Sequence, residues 1–173
     1  MVDSIAPADL KEPIPDSFPV AVIMQRSPAR NNTWIDYVWE ASGVTVGDHT
    51  LHAAENPMLV HEEEGVSRYL YSDLTVRLFL DQCESYYHNM MSPKPGCYVV
   101  TRKEEDGDAL VPFLVTMSFD EAHAYLEGDS EIFALDIPPE LYRWIEDYVI
   151  ANYVAVKRKK RKLQDWKKQD QTS

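Results

Sequence analysis

The stretch Thr33-Trp34-Ile35-Asp36-Tyr37-Val38-Trp39-Glu40-Ala41 indicates how this chain folds. Read with a repeat of two residues, it carries on one face Ile35, Tyr37, Trp39 and Ala41. This alternation is typical of a half-buried strand, so we expect Ile35, Tyr37 and Trp39 in the core. Trp34 is out of step, beside the Arg30-Asn31-Asn32 turn. It is the best single candidate for an exposed contact, with packing against the protein as the alternative.

The sequence around this stretch predicts a mainly antiparallel sheet. The uninterrupted apolar run Val20–Gln25 is typical of a central strand, and Trp34–Ala41 returns antiparallel beside it. Five further runs have strand-like patterns: Tyr69–Tyr71, Leu74–Leu80, Cys97–Arg102, Leu110–Met117 and Glu131–Ile137. The polar segment Glu104–Asp108 joins two of them as a hairpin tip, and Pro112 indicates an edge strand or a bulge.

Two helices are predicted near the end of the chain. Ser118 and Glu121 fit a capping box that opens a helix over Asp120–Glu127, with Gly128 as its left-handed C-cap. The pair Pro138-Pro139 begins the longest helix, because proline is tolerated in a first turn. Its apolar stripe consists of Leu141, Trp144, Ile145, Tyr148 and Val149.

Together these elements predict one α+β domain. We expect a mainly antiparallel curved sheet of about six or seven strands, covered by a short helix and a long C-terminal helix. A β-barrel capped by the C-terminal helix, as in pleckstrin-homology domains, is the alternative. We divide the chain into a flexible lead-in (residues 1–18), the α+β domain (19–156) and a basic C-terminal tail (157–173). Hydrophobic residues make up 45% of the chain, which excludes a disordered protein.

Charge separates the tail from the rest of the chain. Eight of the 17 basic residues lie after Val156, six of them in the run Lys157-Arg158-Lys159-Lys160-Arg161-Lys162. Only two of the 29 acidic residues lie there, so residues 1–156 carry 27 acidic against nine basic side chains. An acidic body repels nucleic acids and anionic membranes at long range. The tail therefore has three interpretations. It is a solvated cationic face, a docking element for an acidic protein partner, or a contact for nucleic acid or membrane. The last is disfavoured because the acidic residues 1–156 repel such anionic partners.

Catalytic signatures are missing: the sequence has no glycine-rich phosphate loop, no G-x-S-x-G and no H-E-x-x-H. Cys83 and His88 lie about 140° apart around a helix, so they do not face each other as a thiol–imidazole pair. The irregular histidines and acids of Gly47–Gly65 indicate a solvated acidic loop rather than a metal site. Cys83 and Cys97 are expected as free buried thiols. We predict no catalytic residues, no metal and no cofactor.

The order of six sequence blocks resembles a known family. The blocks are Pro19–Arg26, Trp34–Glu40, Leu78–Met90, Pro95–Arg102, Val115–Ala122 and Pro138–Ile145 with the basic run after it. They are similar to a small proteobacterial family that carries only a domain-of-unknown-function label. Its genes commonly lie in clusters with formate dehydrogenase and molybdenum-cofactor maturation factors, and some members carry a name that invokes molybdopterin-guanine dinucleotide synthesis. The resemblance implies a role in maturing or assembling a molybdenum-dependent formate dehydrogenase, and it brings no catalytic residues.

Functions from different classes remain open. The first is a non-catalytic accessory protein that binds a formate dehydrogenase subunit or maturation factor, with Trp34, Arg30 and the run 157–162 as candidate contacts. The second is an enzyme or small-molecule carrier of molybdenum-cofactor biosynthesis, with a pocket lined by Trp34, Trp39, Tyr98 and Arg102. The third is nucleic-acid binding through the tail. With no export signal and no transmembrane run, we expect a cytoplasmic protein.

Overall fold

The apolar run before Gln25 forms the central strand that the sequence predicts. In the computed structural model, which describes residues 12–47, 55–126 and 128–153, strand β1 spans Ser17–Pro28. It pairs antiparallel with β2 (Tyr37–Thr45) on one side and with β4 (Val66–Arg77) on the other. A further strand, β3 (Met58–Glu63), pairs with β4, which gives the order β2-β1-β4-β3. The predicted antiparallel return of the Trp39 stretch beside β1 is thereby confirmed.

The second half of the chain forms a separate three-stranded sheet. Its strands are β5 (Cys97–Lys103), β6 (Leu110–Thr116) and β7 (Ser130–Leu135), in the order β6-β5-β7. Both pairings are antiparallel, and the hairpin between β5 and β6 is confirmed. Pro112 lies on the edge strand β6, opposite a register shift between Val100 and Thr101. This edge position suits proline because it has no N–H to donate to a neighbouring strand.

The prediction of a single curved sheet is wrong, although the strand number and the antiparallel pairing are confirmed. The seven strands form two sheets, which lie against each other where β4 meets β6 and where β2 meets β7. Alternation along a strand specifies which face is buried, but it does not specify which edges pair. For the same reason, the pattern could not tell two packed sheets from the barrel alternative.

The segment that was predicted as a solvated acidic loop contains strand β3. Glu64 and Gly65 form the two-residue turn between β3 and β4, with φ angles of 50° and 83°. Positive φ at both positions matches the turn that suits a tight hairpin. β3 lies at the edge of its sheet, and its second half is the charged His61-Glu62-Glu63. An edge strand of this kind carries no continuous apolar face, so its sequence resembles a loop.

Within the described residues, three helices accompany the sheets. They are α1 (Cys83–Met91), which follows a 3₁₀ turn at Leu80–Gln82, α2 (Phe119–Ala124) and α3 (Pro139–Asn152). The apolar stripe predicted for α3 is buried throughout. Phe18 at the start of β1 packs against the Trp144 ring with centroids 5.1 Å apart, and the Trp144 indole donates to the Pro15 carbonyl at 2.7 Å. None of the helices within the described residues is long and apolar enough to cross a membrane.

The helix α2 begins as predicted and ends earlier. Ser118 Oγ accepts the Glu121 N–H at 3.1 Å, which confirms Ser118 as the N-cap. The Ser118 N–H donates to Thr116 Oγ1 at 3.1 Å, and the Thr116 hydroxyl donates to the Glu121 carboxylate at 2.6 Å. Glu121 therefore completes the cap through Thr116 rather than directly. The prediction of Gly128 as the C-cap is wrong, because the helix closes at Tyr125, whose N–H bonds back to Ala122 and His123.

Asn89 on α1 joins the helix to the second sheet. Its amide nitrogen donates to the carbonyl oxygens of Gly96 at 2.8 Å and Met117 at 3.0 Å, and its oxygen accepts the Gly96 N–H at 3.0 Å. The side chain is buried, so these bonds are shielded from water. Each of these hydrogen bonds pairs a backbone N–H or carbonyl group that lies outside the β-strands.

We predict that Asn89→Ala destabilises the fold by about 2–4 kcal/mol, because it leaves three buried backbone groups unpaired. The free energy of unfolding in urea measures this change. Asn152→Ala is the matched control, since the Asn152 amide makes one bond to the Tyr148 carbonyl at an exposed helix end. We expect the control to change stability by less than about 0.5 kcal/mol. Equal effects of the two substitutions would contradict the structural role of Asn89.

Candidate functional site

Trp34 lies on the surface of the loop that joins β1 to β2. The loop is closed by a hydrogen bond from the Ala29 N–H to the Asp36 carbonyl at 3.0 Å. Within it, the side-chain oxygen of Asn32 accepts the Trp34 N–H at 2.9 Å, a local turn that asparagine favours. The Trp34 side chain is 93% exposed. Of the two interpretations of Trp34, the structure shows exposure and not packing against the protein, and the Asn32 turn holds the backbone at this position. The role of Trp34 as a partner contact stays a prediction.

Trp34 lies close in the chain to three further exposed apolar residues, and we call this set the Trp34 face. Its members are Trp34, Ile35, Tyr37 and Val38, all exposed large hydrophobic residues. A groove of about 370 Å³ runs along this face and is also lined by Trp39 and Leu110. Charged side chains line the same groove: Lys103 and Asp108, whose charged atoms are 3.6 Å apart, and Glu131. The arrangement is an apolar centre with charges beside it.

Two predictions about this surface are wrong. Ile35 and Tyr37, which the alternation places in the core, are 48% and 42% exposed. Only the later members of the same face, Trp39 and Ala41, turn inward and are half-buried and buried. Ile35 precedes β2 and Tyr37 is its first residue, so both lie at the end of the sheet, where the second sheet does not cover them. Alternation shows which residues share a face of the strand, but it cannot show how far along the strand the second sheet covers that face.

The other predicted contact residues are only partly placed. Arg30 is exposed and lies in the same loop as Trp34. The basic residues Lys157, Arg158, Lys159, Lys160, Arg161 and Lys162 lie outside the described residues. The sequence reasoning missed Val38 and Leu110 as members of the groove. An apolar Val38 on the otherwise polar face of the strand was the available signal.

The pocket that was predicted from Trp34, Trp39, Tyr98 and Arg102 is not formed. Trp34 and Trp39 line the groove described above. Tyr98 lines a different cleft beside α1, and the Arg102 guanidinium lies 4.0 Å from the centre of the Phe113 ring. The structure thus places these side chains in three separate surroundings.

The cleft beside α1 is polar and has a volume of about 560 Å³. Three carboxylates line it, those of Asp81, Glu84 and Asp120. The Ser118 hydroxyl donates to Gln82 at 2.9 Å and lies 2.9 Å from the Ser85 hydroxyl. These groups satisfy one another, and the carboxylates oppose a phosphate-bearing ligand. The cleft therefore suits neither a nucleotide nor a phosphorylated cofactor.

The two cysteines are free buried thiols, as predicted. Burial raises the pKa of the Cys97 thiol to about 12 from its ordinary value of 9.0. Burial, together with the carboxylate of Asp81, also raises the pKa of Cys83, whose sulfur contacts the Phe79 carbonyl at 3.9 Å. His88 lies 3.5 Å from Glu84. A protonated thiol is a poor nucleophile, so neither cysteine is prepared for covalent catalysis.

Metal ligands are scattered. Within residues 12–47, 55–126 and 128–153, no three His, Cys, Asp or Glu side chains are arranged to hold a metal ion. His61 is exposed and lies 3.5 Å from Glu63 on β3. His49 and His52, the other histidines of the segment 47–65, lie outside the described residues.

Comparison with known proteins identifies a family. A family model described as "Protein of unknown function (DUF3305)" matches residues 19–162, which is most of the chain. The curated proteins and the solved structures gave no match. The match covers both sheets and the Trp34 face.

We predict that stability falls with rising pH above about 9 because of Cys97. Between 9.0 and about 12 the folded protein keeps the Cys97 proton, whereas the unfolded chain releases it. Unfolding then releases one proton, which lowers the free energy of unfolding by about 1.4 kcal/mol per pH unit. Cys97→Ala removes this contribution, so its stability should fall less steeply than that of the wild type. Urea unfolding at several alkaline pH values measures both slopes, and parallel curves would contradict the assignment.

Proposed function

We propose that this chain, which belongs to the family of proteins of unknown function described as DUF3305, is a non-catalytic protein-binding module that docks through the Trp34 face. The observation that carries the proposal is the 93% exposure of Trp34 beside three further exposed apolar side chains. Burying a large apolar side chain contributes about 2–3 kcal/mol, a gain that Trp34 does not make within its own chain. Exposed apolar patches of this kind mark interaction surfaces in soluble proteins.

The composition of the groove supports a protein as the ligand. Tryptophan and tyrosine are the residue types that dominate binding energy at the centre of protein interfaces. Lys103, Asp108 and Glu131 beside them resemble the polar rim of such interfaces, where charges set orientation. The Asn32 turn fixes the loop backbone, so part of the entropic cost of ordering the surface is already met.

The alternative, a carrier of molybdenum-cofactor intermediates, is less well supported. Such intermediates carry phosphate, and the polar cleft beside α1 presents the carboxylates of Asp81, Glu84 and Asp120. Of the four side chains expected to line its pocket, Trp34 and Trp39 share a groove, and Tyr98 and Arg102 lie elsewhere. Protein binding is preferred, because the exposed apolar residues that it requires line one groove on the surface.

For the partner, we propose a subunit or maturation factor of a molybdenum-dependent formate dehydrogenase. The support is the resemblance of the six sequence blocks to the family found in those gene clusters. With this role we propose a cytoplasmic location, as the sequence predicts. Because residues 1–156 are strongly acidic, the partner surface is expected to be neutral or basic around its apolar centre.

We predict that Trp34→Ala weakens partner binding at least about 30-fold, because it removes the most exposed apolar side chain of the face. Ile35→Ser tests the same face. Ile150→Ser is its matched control, since Ile150 is also exposed but lies on α3. The measurement is co-purification from the source organism, followed by titration of the recovered dehydrogenase subunit or maturation factor.

Two outcomes would count against separate parts of the proposal. Recovery of no dehydrogenase subunit and no maturation factor by the wild-type protein would remove the proposed partner. Recovery of such a partner with equal affinity by wild type, Trp34→Ala and Ile35→Ser would remove the Trp34 face as its docking surface. Loss of binding in Ile150→Ser alone would move the surface to α3.

A further inference from the structure

The groove beside Trp34 runs along the unpaired edge of a strand. Three consecutive residues of β2 line it, Tyr37, Val38 and Trp39. Successive side chains of a strand point to opposite faces, so a groove that reaches all three lies at the edge of the strand. β2 pairs with β1 on one side, and in the part of the chain that the structure describes no strand pairs with its other side. Glu131 of β7 lines the groove from across it. The groove therefore lies at an open edge of the first sheet.

Two residues of β2 direct their backbone groups into this groove. The Ala29 N–H donates to the Asp36 carbonyl at 3.0 Å, so these two residues form a hydrogen-bonded pair at the start of the antiparallel ladder. Hydrogen-bonded and non-hydrogen-bonded pairs alternate along such a ladder. The register therefore gives Val38 hydrogen bonds to β1 and leaves Tyr37 and Trp39 without them. Each of the latter two presents one N–H donor and one C=O acceptor to the open edge.

The side chains along this edge form an apolar centre between two acids. Tyr37 and Val38 are 42% and 50% exposed, and the exposed Asp36 and Glu40 flank the apolar centre. Residues of an added strand lie directly opposite those of β2, where their side chains touch. The residues opposite Tyr37 and Trp39 are then best apolar. Those opposite Asp36 and Glu40 are best basic, because neither carboxylate forms an ion pair with a described residue.

We propose that the partner binds by strand addition, in which an extended segment of the partner pairs with Tyr37–Trp39 at the edge of β2. The segment carries apolar residues at alternate positions between two basic residues. This inference rests on the proposed function, because it uses the groove of the Trp34 face, and it adds the conformation and the sequence pattern of the partner segment. In this mode of recognition backbone hydrogen bonds supply affinity, and alternate side chains supply specificity.

A second copy of this chain fits the edge poorly. Two β2 strands that pair symmetrically and antiparallel about Val38 place Asp36 of one copy opposite Glu40 of the other. Like charges directly opposite each other destabilise a pair of strands. A helix is also a poor fit, because its backbone groups bond within the helix and leave those of Tyr37 and Trp39 unpaired. The segment therefore belongs to a different chain, one of complementary charge.

The test uses the full chain and the probe peptide acetyl-Thr-Lys-Val-Thr-Val-Lys-Thr-amide, which has the proposed pattern. Binding is followed in ¹H–¹⁵N spectra, and hydrogen exchange is measured for the backbone amides of β2. We expect a Kd below about 1 mM and exchange of the Tyr37 and Trp39 amides that is at least about threefold slower with the peptide bound. The Val38 amide, which already bonds to β1, is the internal control and should slow less.

Two control peptides separate backbone pairing from side-chain contact. Methylation of both valine nitrogens keeps the side chains and removes the N–H donors that face β2, so binding should weaken at least about tenfold. Replacement of both lysines by glutamate should also weaken binding, because like charges then face Asp36 and Glu40. Equal binding of the methylated peptide, or no binding of the lysine peptide at millimolar concentration, would overturn strand addition. Equal binding of the glutamate peptide would overturn the proposed charge pattern.

A matched pair of substitutions at Tyr37 tests the edge from the protein side. Tyr37→Ala removes the ring and keeps the N–H, whereas Tyr37→Pro removes both. Proline is tolerated at an edge where the missing N–H does not belong to the ladder. We expect Tyr37→Pro to bind the lysine peptide and the natural partner at least about threefold more weakly than Tyr37→Ala. Equal binding by the two folded variants contradicts the proposal, and if Tyr37→Pro unfolds, the methylated peptide decides.

These outcomes are distinguishable from failure of the proposed function. Loss of the natural partner in Trp34→Ala, together with equal binding by the two Tyr37 variants, keeps the Trp34 face as the docking surface and removes strand addition. Retention of the natural partner in Trp34→Ala, together with peptide binding in the expected order, removes Trp34 as the contact and keeps the β2 edge as a strand-binding site.

Discussion

The antiparallel register of β1 with its two neighbours is the constraint that decides which side chains of the first sheet face the second sheet. It places Arg26 between Trp39 on β2 and Ser67 on β4. A slip of one residue in either pairing would turn every side chain to the opposite face. Arg26 would then point into water, and the aromatic wall formed by Trp39 and Tyr69 would separate.

Much of the fold follows from patterns that are local in the sequence. An apolar run and alternation identified six of the seven strands, the Ser118 cap located α2, and a helical stripe located α3. Tyr69–Tyr71 and Leu74–Leu80, which were predicted as separate strands, both belong to β4, which ends at Arg77. β3 was missed because an edge strand needs no apolar face, and its charged residues resemble a loop. The division into two sheets was missed because it depends on contacts between β4 and β6 that are distant in sequence. Gly128 was misassigned because the backbone of α2 closes at Tyr125, before any glycine is required.

The candidate sites were less predictable than the fold. Trp34 was found because it breaks the alternation, a signal that a single sequence contains. Ile35 and Tyr37 were assigned to the core because a pattern shows which residues share a face and not how far the opposing sheet extends. The cleft of about 590 Å³ between the two sheets has no sequence motif. Its lining residues come from β1, β2, β4, the β5–β6 hairpin and the residues just before β3, and only folding brings them together.

The acidic end of β3 affects whether two copies of this protein can pair through their exposed sheet edges. An edge strand offers unpaired backbone groups to any passing strand, and sheets that join through such edges polymerise. Leu59 and Val60 on β3 are exposed, which would favour this joining. The Glu62-Glu63-Glu64 run at the end of the same strand makes two copies of the edge repel each other. The glutamates thus oppose the pairing of two such edges.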